Sequence, residues 1–261
     1  MRSTTLFAAL AATMAAIPTA RAEVETREIE YRQGETPLQG FLAWDAAAKG
    51  KRPGVVVIHE WWGQNQHARN QAIRLAKEGY VAFALDMYGK GKVTTHPKDA
   101  QAFVAEATKD PQVMAARFDA AMKVLEAQPQ VDAARLAAIG YCFGGHVALS
   151  MASIRPDLKA VATFHAGIPP PEKIPPGSVK PRILILTGGA DPMVPAARIQ
   201  AFEKEMKAAG ARIEVVTYPG AKHSFTNPDA GKAGMEGLAY DAAADRKSWA
   251  AMVTMFRQAL R

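Results

Sequence analysis

The chain predicts an α/β fold built on a mostly parallel, doubly wound sheet with helices on both faces. Three observations carry that expectation. Short continuous apolar runs recur, of which Gly54-Val55-Val56-Val57-Ile58 is the clearest, and a strand buried on both faces reads this way. Stretches of helical period separate these runs, so strand and helix alternate. Residues with chemical function follow several of the runs immediately, where the carboxyl ends of parallel strands gather active groups.

Residues 1–22 read as a cleaved secretory signal. Met1-Arg2 opens the segment with a positive charge, residues 6–17 form a short apolar core, and Ala20-Arg21-Ala22 supplies a small-x-small cleavage site. That core is shorter than the roughly 20 residues of a membrane span. Cleavage after Ala22 leaves a chain that starts at Glu23. It is expected to be a single soluble domain over 23–261, monomeric, and periplasmic or secreted.

Residues 25–31 and 38–44 read as strands around the turn Gly34-Glu35-Thr36-Pro37, an antiparallel edge hairpin. The buried strand 54–58 follows, then a helix over about 67–78 that turns Ile73 and Leu75 inward, then a strand at 81–85. Two helices are predicted at 98–109 and 112–127. Four more strands fall at 136–139, 161–164, 183–186 and 213–216, with helices between them. Ile199, Phe202 and Met206 share one helical face; Trp249, Met252, Val253, Phe256 and Leu260 share another.

Composition narrows the function. Lys and Arg number 32 against 25 Asp and Glu, but the two signs are interspersed. Nucleic-acid binding wants a concentrated basic stripe, so that class is excluded. After the signal no stretch is long enough to span a bilayer. Cys142 is the only cysteine. In an exported protein an unpaired thiol meets oxidising conditions, and deep burial or a chemical task must account for it.

Cys142 stands in Gly140-Tyr141-Cys142-Phe143-Gly144-Gly145, between the strand at 136–139 and the first turns of a helix. This is the G-x-S-x-G nucleophile turn with cysteine for serine, where side chains at the glycines would collide with the neighbouring strand and helix. Asp191 follows the strand at 183–186, and His223 follows the last strand. Nucleophile, acid, base is the chain order of the α/β-hydrolase triad. The histidine takes or shares the thiol proton, and the aspartate holds the imidazole in one tautomer. His165 also ends a strand but precedes Asp191, which suits a pocket wall better. Asp86 precedes the nucleophile and suits a loop cap. His146 is expected to be packed or solvated, and His67 and His96 to lie on the surface. No two histidines show the H-x-x-x-H ligand spacing, so no metal is expected, and no cofactor. His59-Glu60-Trp61-Trp62-Gly63 follows the strand at 54–58. The backbone N–H groups of Phe143 and Trp61 are the oxyanion donors that such a site needs; His59 reads as a supporting residue.

Taken together, His59-Glu60-Trp61-Trp62-Gly63, Gly140-Tyr141-Cys142-Phe143-Gly144-Gly145, the Asp191 loop and His223-Ser224-Phe225 resemble the dienelactone hydrolase family from about Thr36 to the C-terminus. The resemblance implies an α/β-hydrolase fold and a triad of Cys142, Asp191 and His223. It also implies that Glu60 contacts the resting thiol and gates its ionisation. The family's dienelactone enzymes hold the substrate carboxylate with arginines. At the matching positions this chain has Lys90, after Tyr88, and Asn227. Trp61, Trp62, Tyr88, Phe143 and Phe225 are expected to form an aromatic wall, with Lys90, Ser224 and Asn227 also facing substrate. The reading is a hydrolase of small carboxylic esters or lactones that works through an acyl-thioester. Its rivals are an inactive ligand-binding module on the same fold and a thiol redox protein, which would lack a resolving cysteine in the chain.

Overall fold

A computed structural model describes residues 22–170 and 174–261; the expected signal segment lies outside the described residues, except for Ala22. Eight strands form one sheet: β1 (Val24–Gln33), β2 (Thr36–Asp45), β3 (Arg52–Ile58), β4 (Val81–Ala84), β5 (Val131–Tyr141), β6 (Leu158–Phe164), β7 (Arg182–Gly188) and β8 (Arg212–Tyr218). Their spatial order is β1-β2-β4-β3-β5-β6-β7-β8. β1 pairs antiparallel with β2, and β2 antiparallel with β4; the other pairings are parallel. The α/β-hydrolase arrangement predicted from sequence is what forms, with the hairpin at one edge.

Period-2 alternation sorts each central strand between two cores. Val55 and Val57 of β3 point to one face, Val56 and Ile58 to the other. The first face is covered by α1 (Gln66–Lys77) and α6 (Ala242–Ala259), through Leu75, Trp249, Met252 and Phe256. The second is covered by α2 (Pro97–Thr108), α3 (Pro111–Glu126), α4 (Phe143–Ile154) and α5 (Ala196–Ala208), through Phe118, Val147, Ile199, Phe202 and Met206.

Local chemistry starts the helices where the sequence changes period. Asn65 accepts the N–H groups of His67 and Ala68, Asp110 that of Gln112, and Asp241 those of Ala243 and Ala244. Each side chain satisfies helix-start donors that have no intrahelical partner. Pro97 and Pro111 stand at first helical positions, where a missing N–H is harmless. β3 lies between β4 and β5, so the chain winds outward from it in both directions. Ligands bind outside the carboxyl ends of strands at such a reversal. Here β3 leads into His59-Glu60-Trp61 and β5 leads into Cys142.

Candidate active site

At the end of β5 the backbone turns sharply. Cys142 has φ 52° and ψ −114°, a left-handed conformation that a residue with a side chain adopts only at a cost. Close packing enforces it. A Cβ on Gly140 would lie 2.1 Å from the carbonyl oxygen of Gly144, and one on Gly144 would lie 2.3 Å from that of Ile58. The Cys142 carbonyl accepts N–H groups from Gly145 (3.0 Å) and Gly167 (3.0 Å), and its own N–H donates to Phe164 (3.1 Å). The thiol is thereby presented at the start of α4, half-buried.

The loops after β7 and β8 meet beside it. The Gly189 N–H donates to the Tyr218 carbonyl (2.8 Å) and the Ala190 N–H to that of Ala221 (3.0 Å). Asp191 then uses both carboxylate oxygens. Oδ1 accepts the Met193 N–H (2.8 Å), and Oδ2 lies 2.8 Å from His223 Nδ1. His223 is held along its backbone, with its N–H on the Gly237 carbonyl and its carbonyl on the Ala239 N–H. Its Nε2 has no hydrogen-bond partner among the described residues. Burial of His223 disfavours its charged form, but the Cys142 charge and the Asp191 carboxylate outweigh it and push the pKa up from 6.5 to about 10.

Cys142 and His223 border a cleft of about 380 Å³, walled by Trp61, Val104, Thr108, Phe143, His146, Gly167, Met193 and Val194. The lining residues are mostly apolar, and among the described residues none of them is Lys or Arg. Among the described residues no cluster of three or more His, Cys, Asp or Glu is arranged to hold a metal ion, and no helix is long and apolar enough to cross a membrane.

The model of the dienelactone hydrolase family matches residues 38–260. This chain belongs to the dienelactone hydrolase family. It is accordingly a hydrolase of the ester- and lactone-cleaving class. A dienelactone hydrolase-like promiscuous phosphotriesterase from metagenomic libraries is 36% identical, with a TM-score of 0.87 over 91% of this chain and 99% of that one. The protein m3DLH is 40% identical, also with a TM-score of 0.87, over 91% and 99% of the two chains. Protein usf of Aquifex pyrophilus is 28% identical over 236 residues, which cover 89% of this chain and 98% of that protein.

Within this family member, several residues expected at the substrate are engaged elsewhere. Lys90 forms an ion pair with Glu30 on the edge hairpin, and its N–H donates to the Pro37 carbonyl (2.9 Å) of the same hairpin. Trp62 is buried against Ala100, Ala230 and Leu238 and borders a separate cleft. Phe225 is fully buried, 5.3 Å from the His165 ring and 5.7 Å from Tyr218. Ser224 and Asn227 donate to Glu60, each at 2.6 Å. Both Glu60 oxygens are thus engaged by this turn, and among the described residues no hydrogen bond joins Glu60 to Cys142. His67 is buried rather than on the surface, 3.7 Å from Glu60.

Asp86 and His59 make the supporting contacts expected of them. Asp86 caps its loop by accepting the N–H groups of Tyr88 (2.8 Å) and Gly89 (2.9 Å). The His59 ring donates from Nδ1 to the Glu60 carbonyl (2.5 Å) and accepts the Met87 N–H at Nε2 (3.2 Å), which makes it a neutral brace for two loops. Burial pulls its pKa down. The Tyr88 hydroxyl donates to the Trp61 carbonyl (3.2 Å), and its ring stacks on Phe143; it is buried and does not border the cleft, contrary to the substrate contact expected of it. His165 is fully buried, bonded to Thr226 Oγ1 (2.8 Å) and 5.1 Å from the His223 ring. Burial, with the neighbouring His223 and His67, drives its pKa well below 6.5; it packs behind His223 and, contrary to the pocket wall expected of it, does not border the cleft. The cleft residues that sequence reasoning missed are Val104, Thr108, His146, Gly167, Met193 and Val194. His146 lies one helical turn beyond Cys142, which is a usable signal; Val104 and Thr108 come from α2, and nothing local marks them.

Proposed function

We propose that the enzyme hydrolyses uncharged carboxylic esters or lactones through Cys142, His223 and Asp191, by way of an acyl-thioester. One observation carries this reading. The buried Asp191–His223 contact of 2.8 Å occupies Nδ1 and leaves Nε2 unpartnered, on a residue that borders the same cleft as Cys142.

Asp191 fixes the tautomer and supports the imidazolium. The Cys142 sulfur attacks the carbonyl carbon while the thiol proton rests on His223. The C–S bond forms, and the carbonyl π electrons move to oxygen. Phe143 is the first residue of α4, where a helix has no preceding turn to accept its N–H, and Trp61 lies in the turn closed by the Gly63 N–H on the Glu60 carbonyl. These two N–H groups would hold the oxyanion, and losing one such donor costs about 10²–10³ in rate. Collapse expels the alkoxide, which takes the proton from His223. Water, deprotonated by His223, then attacks the thioester; the C–S bond breaks, the acid leaves and the sulfur recovers a proton. The largest upward push on the His223 pKa comes from the Cys142 charge. Acylation removes that charge, so the His223 pKa falls and the ring can stand neutral, with Nε2 open to a proton, when water must be activated.

The substrate argument rests on the cleft walls. A carboxylate placed there would lose hydration with no Lys or Arg among the described lining residues to receive it. A pulse of p-nitrophenyl butyrate followed by mass spectrometry should find the acyl group on Cys142, and unmodified protein during turnover would end the thioester route. Comparing kcat/KM for a neutral lactone and for cis-dienelactone tests the rest. A preference for the acid above about 10²-fold, some 2.7 kcal/mol, would refute an uncharged substrate class. Export to the periplasm or medium is part of the same proposal, supported by the signal-like pattern of residues 1–22.

A further inference from the structure

We infer that Glu60 is a positioning residue that ties the loop carrying the Trp61 N–H to the loop carrying His223. The inference rests on the triad reading above. Glu60 is 1% exposed and spends each carboxylate oxygen on a different residue of one turn. Oε1 accepts the Ser224 hydroxyl and Oε2 accepts the Asn227 amide, both at 2.6 Å. The Asn227 N–H closes that turn on the Ser224 carbonyl (2.9 Å). Ser224 follows His223 directly and has φ 54°, a left-handed conformation that persists only where the surroundings hold it. On the other side, Glu60 directly precedes Trp61. One carboxylate therefore spans the two halves of the machinery, through charge-assisted hydrogen bonds about twice as strong as neutral ones. His67 approaches Oε2 at 3.7 Å from α1. The orientation of Asn227 is set independently, because its Oδ1 accepts the Asp229 N–H (2.9 Å).

That orientation supplies a test that separates positioning from charge. Glu60→Gln preserves shape but offers one acceptor where two donors face it: with its oxygen on the Asn227 amide, which Asp229 keeps from flipping, its own amide meets the Ser224 oxygen and the Ser224 hydroxyl proton loses its acceptor. Combining Glu60→Gln with Asn227→Asp restores both hydrogen bonds and moves the charge to the other partner. The readouts are kcat and KM for p-nitrophenyl butyrate, and the rate at which iodoacetamide alkylates Cys142. For Glu60→Gln, kcat should fall about 10²-fold with KM within about threefold of wild type, as expected when reacting groups drift by about 1 Å. Alkylation should slow as well, because His223 no longer sits in register with the thiol. The double exchange should recover both to within about fivefold. A double variant no better than the single one overturns the inference. So does faster alkylation in Glu60→Gln, the sign of a carboxylate acting on the thiol directly. Should Glu60→Gln fail to fold, Asn227→Ala removes one hydrogen bond and keeps the charge; about a tenfold loss of kcat is expected, and an unchanged kcat overturns the inference. Failure of the triad reading itself would appear separately, as wild-type protein that carries no acyl group on Cys142.

Discussion

The elbow after β5 and the paired loops after β7 and β8 present two members of one site by different means. At the elbow, backbone sterics set the thiol: Gly140 packs on Gly144, and Gly144 packs on the end of β3, with no room for a methyl group at either. On the paired loops, side chains set the imidazole. Asp191 holds Nδ1, and Glu60 grips the turn that follows His223 from a different loop. A steric device tolerates almost no substitution but is insensitive to pH. A hydrogen-bonded device tolerates isosteric exchange but depends on which groups carry protons.

That contrast can be broken or sharpened. The largest expected effect is that of Cys142→Ala, which should drop ester hydrolysis to background, a loss on the order of 10⁶, while leaving the urea midpoint near wild type. Substantial activity in the purified variant would refute the nucleophile. Next comes Asp191→Asn, which keeps the shape of the pair but favours the wrong tautomer; kcat should fall about 10⁴-fold. His165→Gln belongs beside it as a control, and a larger loss there than for His223→Ala would show that the base was misassigned. Gly144→Ala comes third. It forces a Cβ to within 2.3 Å of a backbone carbonyl oxygen, which cannot move aside as a flexible side chain would. Folding stability should fall by roughly 3 kcal/mol or more, read from denaturant midpoints, and a near-neutral result would mean the elbow is looser than described.

The fourth expectation concerns acid. His165 has a folded pKa well below the ordinary 6.5, because burial and its histidine neighbours resist a charge. The unfolded chain therefore binds a proton that the folded one refuses. Stability from this group is complete above about pH 6.5 and drains away as pH falls, by up to about 1.4 kcal/mol per unit for one proton. Wild type should lose stability more steeply than His165→Gln between about pH 6.5 and 5; parallel slopes would contradict the assignment. The smallest effect is that of Lys90→Ala. Its partner Glu30 is exposed, and such surface pairs contribute about 0–1 kcal/mol, so kcat/KM for a neutral ester should change by less than about threefold. A large loss would return Lys90 to the substrate.

Legibility followed the same division. Strand and helix positions were readable because apolar runs and 3.6-residue faces are local; α5, for example, buries Ile199, Phe202 and Met206, the three residues its period marks. β5 runs longer than its apolar stretch, since pairing with β3 extends the ladder through Asp132. Cys142, Asp191 and His223 could be named because each follows a strand. The neighbours of Glu60 could not, nor could the burial of Phe225 and Trp62, since an aromatic residue near a motif faces substrate or core according to packing that no local pattern encodes.

By itself the sequence determined the alternation that builds the sheet, the glycines that permit the elbow, and the order of thiol, carboxylate and imidazole. Each depends on steric and periodic rules that act over a few residues. Only the tertiary structure decided that Lys90 turns to Glu30, that α2 walls the cleft, and that Glu60 reaches Ser224 and Asn227. Those outcomes depend on which surfaces close on one another, and a hydrogen bond between residues 164 positions apart has no precursor in the chain until the sheet has brought its two ends together.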